Sequence, residues 1–168
     1  MTSRKPIGLN YIEKKKKEID KKEKFYLDED KKDFIYYYPV FSEQKIDNLI
    51  VELIEVVKEC KERSLNYLTN DAEIMQYCEF LIIKYFTSLS DELEGKTLEV
   101  HLETMSKMYD SRIFDMFMND MFDELEKHRV FDKLNSVEKL AEIYVAELNK
   151  TMENIQSDVV KEKINTIL

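Results

Sequence analysis

Residues 70–86, NDAEIMQYCEFLIIKYF, decide the fold class of this chain of 168 residues. Asn70, followed three positions later by Glu73, has the form of a capping box, which is a signature of helix starts. The positions that follow are apolar on nearly every side of the helix, and a helix of this kind is buried in a core. The stretch therefore predicts a central helix that other helices surround.

Helical periodicity continues on both sides of this central helix. Upstream, Ser42 is a natural N-cap, and Phe41 with Ile46 has the spacing of a hydrophobic staple. Downstream, apolar residues recur at helical spacing up to the end of the chain. Besides the central helix, we expect helices over about 43–63, 98–110, 113–125 and 136–166, with a polar loop over 88–96 and a connector over 126–134.

The segment before these helices has a different period. Two runs rich in aromatic residues flank the polar residues 28–32, and Pro39 follows the second run. This pattern predicts a β-hairpin over about 25–39, preceded by a basic N-terminal tail or helix over residues 1–24. The predicted fold is mainly α, a compact bundle of about five to six helices with a small N-terminal β-hairpin. Residues 25–168 are expected to form a single helical domain.

Composition and charge exclude several functional classes. The chain has only 2 Gly and 2 Pro, which argues against glycine loops for nucleotides and against barrels with many tight turns. Residues 1–32 hold 11 Lys and Arg against 7 Asp and Glu, whereas residues 33–168 hold 15 against 28. An acidic body repels phosphate, so we expect no nucleic-acid partner. The lysine run 14–17 alternates with acids at i,i+4 spacing and is typical of a solvated helix.

Targeting signals are not visible in the sequence. The first ten residues contain no apolar core of a signal peptide, and no apolar run approaches the ~20 residues of a membrane-spanning helix. The two cysteines, Cys60 and Cys78, are too few for a disulfide scaffold and are typical of core thiols in a reducing compartment. We therefore expect a soluble, cytoplasmic protein without a membrane partner.

No motif for catalysis or metal binding is apparent. The two histidines, His101 and His128, belong to no His-x-x-x-His or Glu-x-x-His pair, so no metal and no other cofactor is expected. Glu79 and Lys84 interrupt the apolar central helix. A buried Glu79 could act as a base, but snorkelling or pairing with a basic side chain is its more ordinary role. The chain is expected not to be an enzyme.

Methionine is concentrated in one segment. Five of the 8 methionines lie between 105 and 121, and Phe114, Phe117 and Phe122 alternate with them. Methionine is flexible and polarisable, and it is frequent on surfaces that accept varied apolar partners. Two interpretations stay open: the segment is the core of a helical bundle, or it lines a groove that accepts a helix from a partner.

The order of the segments resembles the tail assembly chaperones of long-tailed phages and prophages of Gram-positive bacteria. The likeness is carried by a lysine-rich leader and then by the segments IYYYPVFS (35–42), EQKIDNLIVEL (43–53), FLIIKYFTSL (80–89) and LETMSKMYDSRIFDMFMND (102–120). Asp110 and Phe114 match the family's motif of aspartate, a small residue, glycine, leucine and phenylalanine. Ile113 stands where that motif has leucine, and Arg112 stands where it has glycine.

The resemblance implies an assembly factor in the host cytoplasm that binds helical segments of the tape measure protein. Its partner-binding residues would be the motif residues together with the sulfur-rich and aromatic positions, namely Met105, Met108, Asp110, Ile113, Phe114, Met118, Met121 and Phe122. Self-association is a further expectation. The alternative is an acidic regulatory protein that inhibits by imitating DNA, since residues 33–168 carry a large negative charge.

Overall fold

The computed structural model describes residues 7–139 of the chain. The chain divides into two compact units, Met1–Val130 and Phe131–Leu168. In the second unit, residues 131–139 are helical, and the Ser136 hydroxyl donates a hydrogen bond to the Asp132 carbonyl at 2.8 Å. The rest of the predicted helix over 136–166 lies outside the described residues, and so the predicted domain of residues 25–168 stays a prediction.

The first unit consists of short and long helices and one hairpin. Its elements are α1 (Leu9–Ile19), β1 (Glu23–Tyr26), β2 (Phe34–Tyr37), α2 (Glu43–Glu62), α3 (Asp71–Phe86), α4 (Leu89–Leu93), α5 (Leu98–Asp110), α6 (Ile113–Met116) and a π-helical turn (Phe117–Met121). Residues 124–130 are again helical. The predicted fold class, mainly α with a small N-terminal β-hairpin, is confirmed.

The hairpin is antiparallel and is attached to the end of α3. Phe25 pairs with Ile35 and Tyr26 pairs with Phe34. The strand β2 also hydrogen-bonds on its other side, because the Tyr38 amide donates to the Phe86 carbonyl at 2.9 Å and the Ser88 amide donates to the Tyr36 carbonyl at 2.8 Å. Within residues 7–139 the hairpin therefore has one unpaired edge, strand β1, and one edge that the helical core holds in place.

Helices α2 and α3 pack against each other and supply most of the core of the first unit. The predicted caps are present: the Ser42 hydroxyl accepts a hydrogen bond from the Lys45 amide, and the Asn70 side chain accepts one from the Glu73 amide at 3.0 Å. The buried residues of α2 recur at helical spacing on one face; they are Ile46, Leu49, Ile50, Leu53, Val56 and Cys60. On α3 the buried residues occupy all sides, as predicted; they are Tyr77, Cys78, Phe80, Leu81, Ile82, Ile83, Lys84 and Phe86.

Three local predictions are wrong. The polar loop over 88–96 contains the short helix α4, and the connector over 126–134 is helical. The helix expected over 113–125 ends early, because α6 passes into the π-helical turn and Phe122 then adopts an extended conformation. Lys127 lies under this turn, where its ammonium group donates a hydrogen bond to the Met118 carbonyl and stabilises the irregular backbone. A π-helical turn depends on such long-range contacts, which periodicity does not reveal.

Arg112 begins α6 in the left-handed conformation, with φ at 61°. A left-handed residue with a side chain costs roughly 1–2 kcal/mol, which glycine avoids. Glycine stands at this position in the motif that the sequence resembles. The backbone here thus keeps the conformation that favours glycine, although the residue is arginine.

Candidate functional site

The structure places most of the eight predicted partner-binding residues in the interior of the first unit. Asp110 is exposed, and Met105 and Ile113 are half-buried. The other five have at most 7% of their surface exposed; they are Met108, Phe114, Met118, Met121 and Phe122. Only the first three therefore reach solvent appreciably, and partner binding by the set as a whole stays a prediction.

The hairpin covers this sulfur-rich segment. The ring of Phe25 meets the ring of Phe117 edge to face with centroids 6.2 Å apart, and Tyr37 meets Phe122 in the same way at 6.2 Å. Phe41 also contacts Phe122, with centroids 5.3 Å apart. The inner face of the hairpin thus occupies the place where a groove would have to open.

A second arrangement, which sequence analysis missed, is a polar cluster between α2, α3 and α5. Lys84 of α3 donates to both carboxylate oxygens of Glu52 on α2, at 2.6 and 2.8 Å. The hydroxyl of Tyr85 donates to Glu52 Oε2 at 2.7 Å. The side chain of Lys84 is 10% exposed and that of Glu52 is 19% exposed, so this ion pair is largely removed from water.

His101 extends the cluster into the interior. Its Nε2 lies 3.2 Å from the Leu93 carbonyl, which can only accept, and therefore Nε2 carries the proton of that hydrogen bond. Its Nδ1 faces the Tyr77 hydroxyl at 3.1 Å and Glu52 Oε1 at 3.7 Å. Hydrogen bonds to Glu52 thus join α2 to α3, and the bond between Tyr77 and His101 joins α3 to α5.

Surface pockets open onto this cluster. One has a volume of about 420 Å³ and is lined by Glu52, Lys84 and His101 together with Val51, Glu55 and Lys96. A neighbouring pocket of about 410 Å³ shares Glu52, Lys84 and Tyr85 with the first. The polar groups at the base of both pockets are already bonded to one another, which favours a structural role for the cluster over a catalytic one.

Burial changes the acidity of several groups in and near the core. It raises the pKa of both Tyr77 and Tyr85, and the nearby carboxylate of Glu52 raises each pKa further. Burial also raises the pKa of the Cys78 thiol to about 12, which makes this cysteine a poor nucleophile. The pKa of Glu79, which the sequence singles out, is raised by burial, while the positive charge of Lys127 acts in the opposite direction.

These tyrosines predict an alkaline loss of stability. A raised pKa in the folded state means that the fold holds the phenol proton more tightly than the unfolded chain does, so the free energy of unfolding falls as pH rises above about 10. Each phenol contributes at most about 1.4 kcal/mol per pH unit. In urea unfolding between pH 9 and 11, Tyr85→Phe should flatten this slope. Tyr67→Phe, at an exposed tyrosine in the α2–α3 connection, is the matched control, and equal flattening by both variants would contradict the assignment.

The described residues contain neither a candidate metal centre nor a membrane-spanning helix. Among residues 7–139, no group of three or more His, Cys, Asp or Glu side chains could hold a metal ion. Within the same range, every buried side-chain nitrogen or oxygen has a hydrogen-bond partner. No helix in this part of the chain is both long and apolar enough to cross a membrane.

Comparison with known proteins gives one family and one curated relative. The chain is 27% identical over 140 residues to the SPbeta prophage-derived uncharacterized protein YomO of Bacillus subtilis (strain 168). The match covers 82% of this chain and 78% of the relative. No solved structure matches at a significant level. The family model of YomO matches residues 9–167, and the chain therefore belongs to the YomO family, whose B. subtilis member is prophage-derived.

Proposed function

We propose that this protein is a non-catalytic assembly factor of a prophage, a tail assembly chaperone that binds helical segments of the tape measure protein in the host cytoplasm. It works without a cofactor, and neither nucleic acid nor a membrane is among its partners. The prophage origin of its relative in B. subtilis supports this proposal. So does the resemblance of its segment order to the tail assembly chaperones.

The sulfur-rich segment is the observation that carries the proposal. Met105 on α5 and Ile113 on α6 are half-buried, whereas Met108, Met118 and Met121 are buried, and α5 and α6 pack together. A helical partner can bury the exposed parts of both side chains. Among the described residues strand β1 is unpaired on its outer edge, and its Phe25 contacts Phe117 of this segment. Because two-stranded hairpins are marginally stable by themselves, moving β1 aside is the least costly way to enlarge the apolar surface.

The test uses a fluorescent amphipathic helical peptide taken from a phage tape measure protein. Fluorescence anisotropy gives its Kd for the full-length chain and for the double variant Met105→Glu with Ile113→Glu. We expect the Kd to rise about tenfold or more, which corresponds to about 1.4 kcal/mol, because a buried carboxylate cannot be solvated in an apolar interface. Both positions are partly exposed, so the variant should fold.

The control is Tyr67→Glu, which places the same charge on an exposed side chain outside the segment. We expect it to bind the peptide as the wild type does. Circular dichroism verifies that both variants are folded. Equal peptide binding by the folded double variant and the wild type would refute the assignment of this surface.

The acidic inhibitor that imitates DNA stays an alternative prediction. Exposed carboxylates on α2 and α5 are interspersed with cations, as in the ion pairs Lys58–Glu62, Arg63–Glu59 and Lys107–Glu103. A mimic of DNA needs rows of like charge on one side. The mixed charges of these two helices therefore favour the chaperone.

A further inference from the structure

Helix α1 exposes an apolar stripe. Leu9 is 78% exposed and Ile12 is 58% exposed, and the half-buried Ile19 follows on the same face after Lys16. No side chain of α1 is buried among the residues that the structure describes. An isolated helix of 11 residues is marginal in water, so α1 gains stability wherever this stripe can be covered. The helix carries four lysines against two glutamates and is basic.

Helix α2 has an exposed face that, unlike the basic helix α1, carries more acidic than basic side chains. Val51 is 53% exposed and Ile54 is 47% exposed, and they lie side by side on the outer surface of the helix. Asp47, Glu55 and Glu62 fall on the same face at helical spacing. Over its whole length α2 carries six carboxylates against three lysines. The outer face of α2 is therefore an apolar pair of residues among three carboxylates and one lysine, Lys58, which pairs with Glu62, and its net charge is negative.

We propose that α1 of one copy docks on the outer face of α2 of a second copy. In this contact the stripe of α1 covers Val51 and Ile54, while the lysines of α1 approach the carboxylates of α2. Apolar burial stabilises the contact, and the opposite charges set its orientation. The proposal does not depend on binding of the tape measure protein.

In a dimer with twofold symmetry, α1 of each copy docks on α2 of the other copy. A helix of 11 residues is about 16 Å long, and a single contact of that length is small for a stable complex. Twofold symmetry places a second, identical contact in the same dimer and so doubles the buried area. In one such dimer both α1 stripes and both outer faces of α2 are covered.

The test measures the dissociation constant of the dimer by sedimentation of the full chain over a range of concentrations. Ile12→Glu and Ile54→Glu each place a carboxylate in the contact. Each should raise the dissociation constant about tenfold or more. Leu125→Glu, at a side chain that is 75% exposed and lies on neither helix, is the control and should leave the constant unchanged.

Charge reversal tests the pairing of the two helices. Changing the four lysines 14–17 to Glu should weaken the dimer, and so should the combined change Asp47→Lys, Glu55→Lys and Glu62→Lys. Both sets in one chain should restore association, because every contact then has its charges exchanged. A chain that is monomeric at all concentrations, or a dimer that none of these variants affects, would overturn the proposal. So would wild-type binding to anionic lipid vesicles without dimerisation, since α1 would then be a membrane-surface helix.

Discussion

Lys84→Met is expected to lower the free energy of unfolding by about 3 kcal/mol, as is usual when one partner of a buried ion pair is removed. Methionine keeps most of the apolar stem of lysine but cannot donate to Glu52. Of the hydrogen-bond donors in the described part of the chain, the carboxylate then keeps the Tyr85 hydroxyl, in a site where its side chain is 19% exposed. Urea unfolding followed by far-UV circular dichroism measures the loss.

A second variant separates the ion pair from simple packing. Glu52→Gln combined with Lys84→Met removes both charges, so no uncompensated charge stays buried. This double variant should be more stable than Lys84→Met alone, because replacing both partners of a buried pair is often close to neutral. If the double variant lost the sum of the two single losses, the two charges would not interact and the structural role of the cluster would be refuted.

Phe86→Ala is expected to cost about 4 kcal/mol, within the usual range for removing a buried phenylalanine. The Phe86 ring is completely buried at the end of α3 and stacks on Phe41 with ring centroids 3.6 Å apart. Phe41 in turn contacts Phe122 of the sulfur-rich segment. The cavity left by alanine would therefore loosen the contact between the hairpin, α3 and that segment. Thermal and urea unfolding measure the effect.

Phe34→Ala is the matched control for this cavity. Phe34 is 40% exposed on the outer face of the hairpin, where the Lys24 ammonium lies 4.0 Å from its ring centroid. Removing an exposed ring leaves no enclosed cavity, and the cost should stay near 1 kcal/mol, the order of a cation–π contact. Equal losses in the two variants would contradict the position of Phe86 in the core.

The sulfur-rich segment shows where sequence patterns stop being informative. The sequence left open whether this segment is core or groove, and in the structure Phe114, Met118 and Met121 are buried. Periodicity could not tell which surface covers them, because an apolar stripe has the same spacing whether its own hairpin or a foreign helix lies on it. The cover comes from Phe25 and Tyr37, about 90 residues earlier in the chain.

The polar cluster had one weak signal in the sequence, which was a lysine on a helix that is otherwise apolar. A buried ammonium needs a partner, so Lys84 could be expected to form an ion pair. Its partner could not be named, because Glu52 is one of six carboxylates on α2 and lies 32 positions away. The same holds for His101, whose neighbours Tyr77 and Leu93 lie on other helices.

The amino-acid sequence alone was enough to predict the central helix 71–86, its Asn70 cap, the helix α2 and the hairpin. Each depends on residues a few positions apart, whose spacing determines which backbone conformation buries apolar groups and satisfies the first amides. Only the tertiary structure revealed the ion pair of Lys84, the packing of the hairpin on the sulfur-rich segment and the π-helical turn next to Lys127. These features join distant segments, and their energies arise only after the helices have docked and excluded water between them.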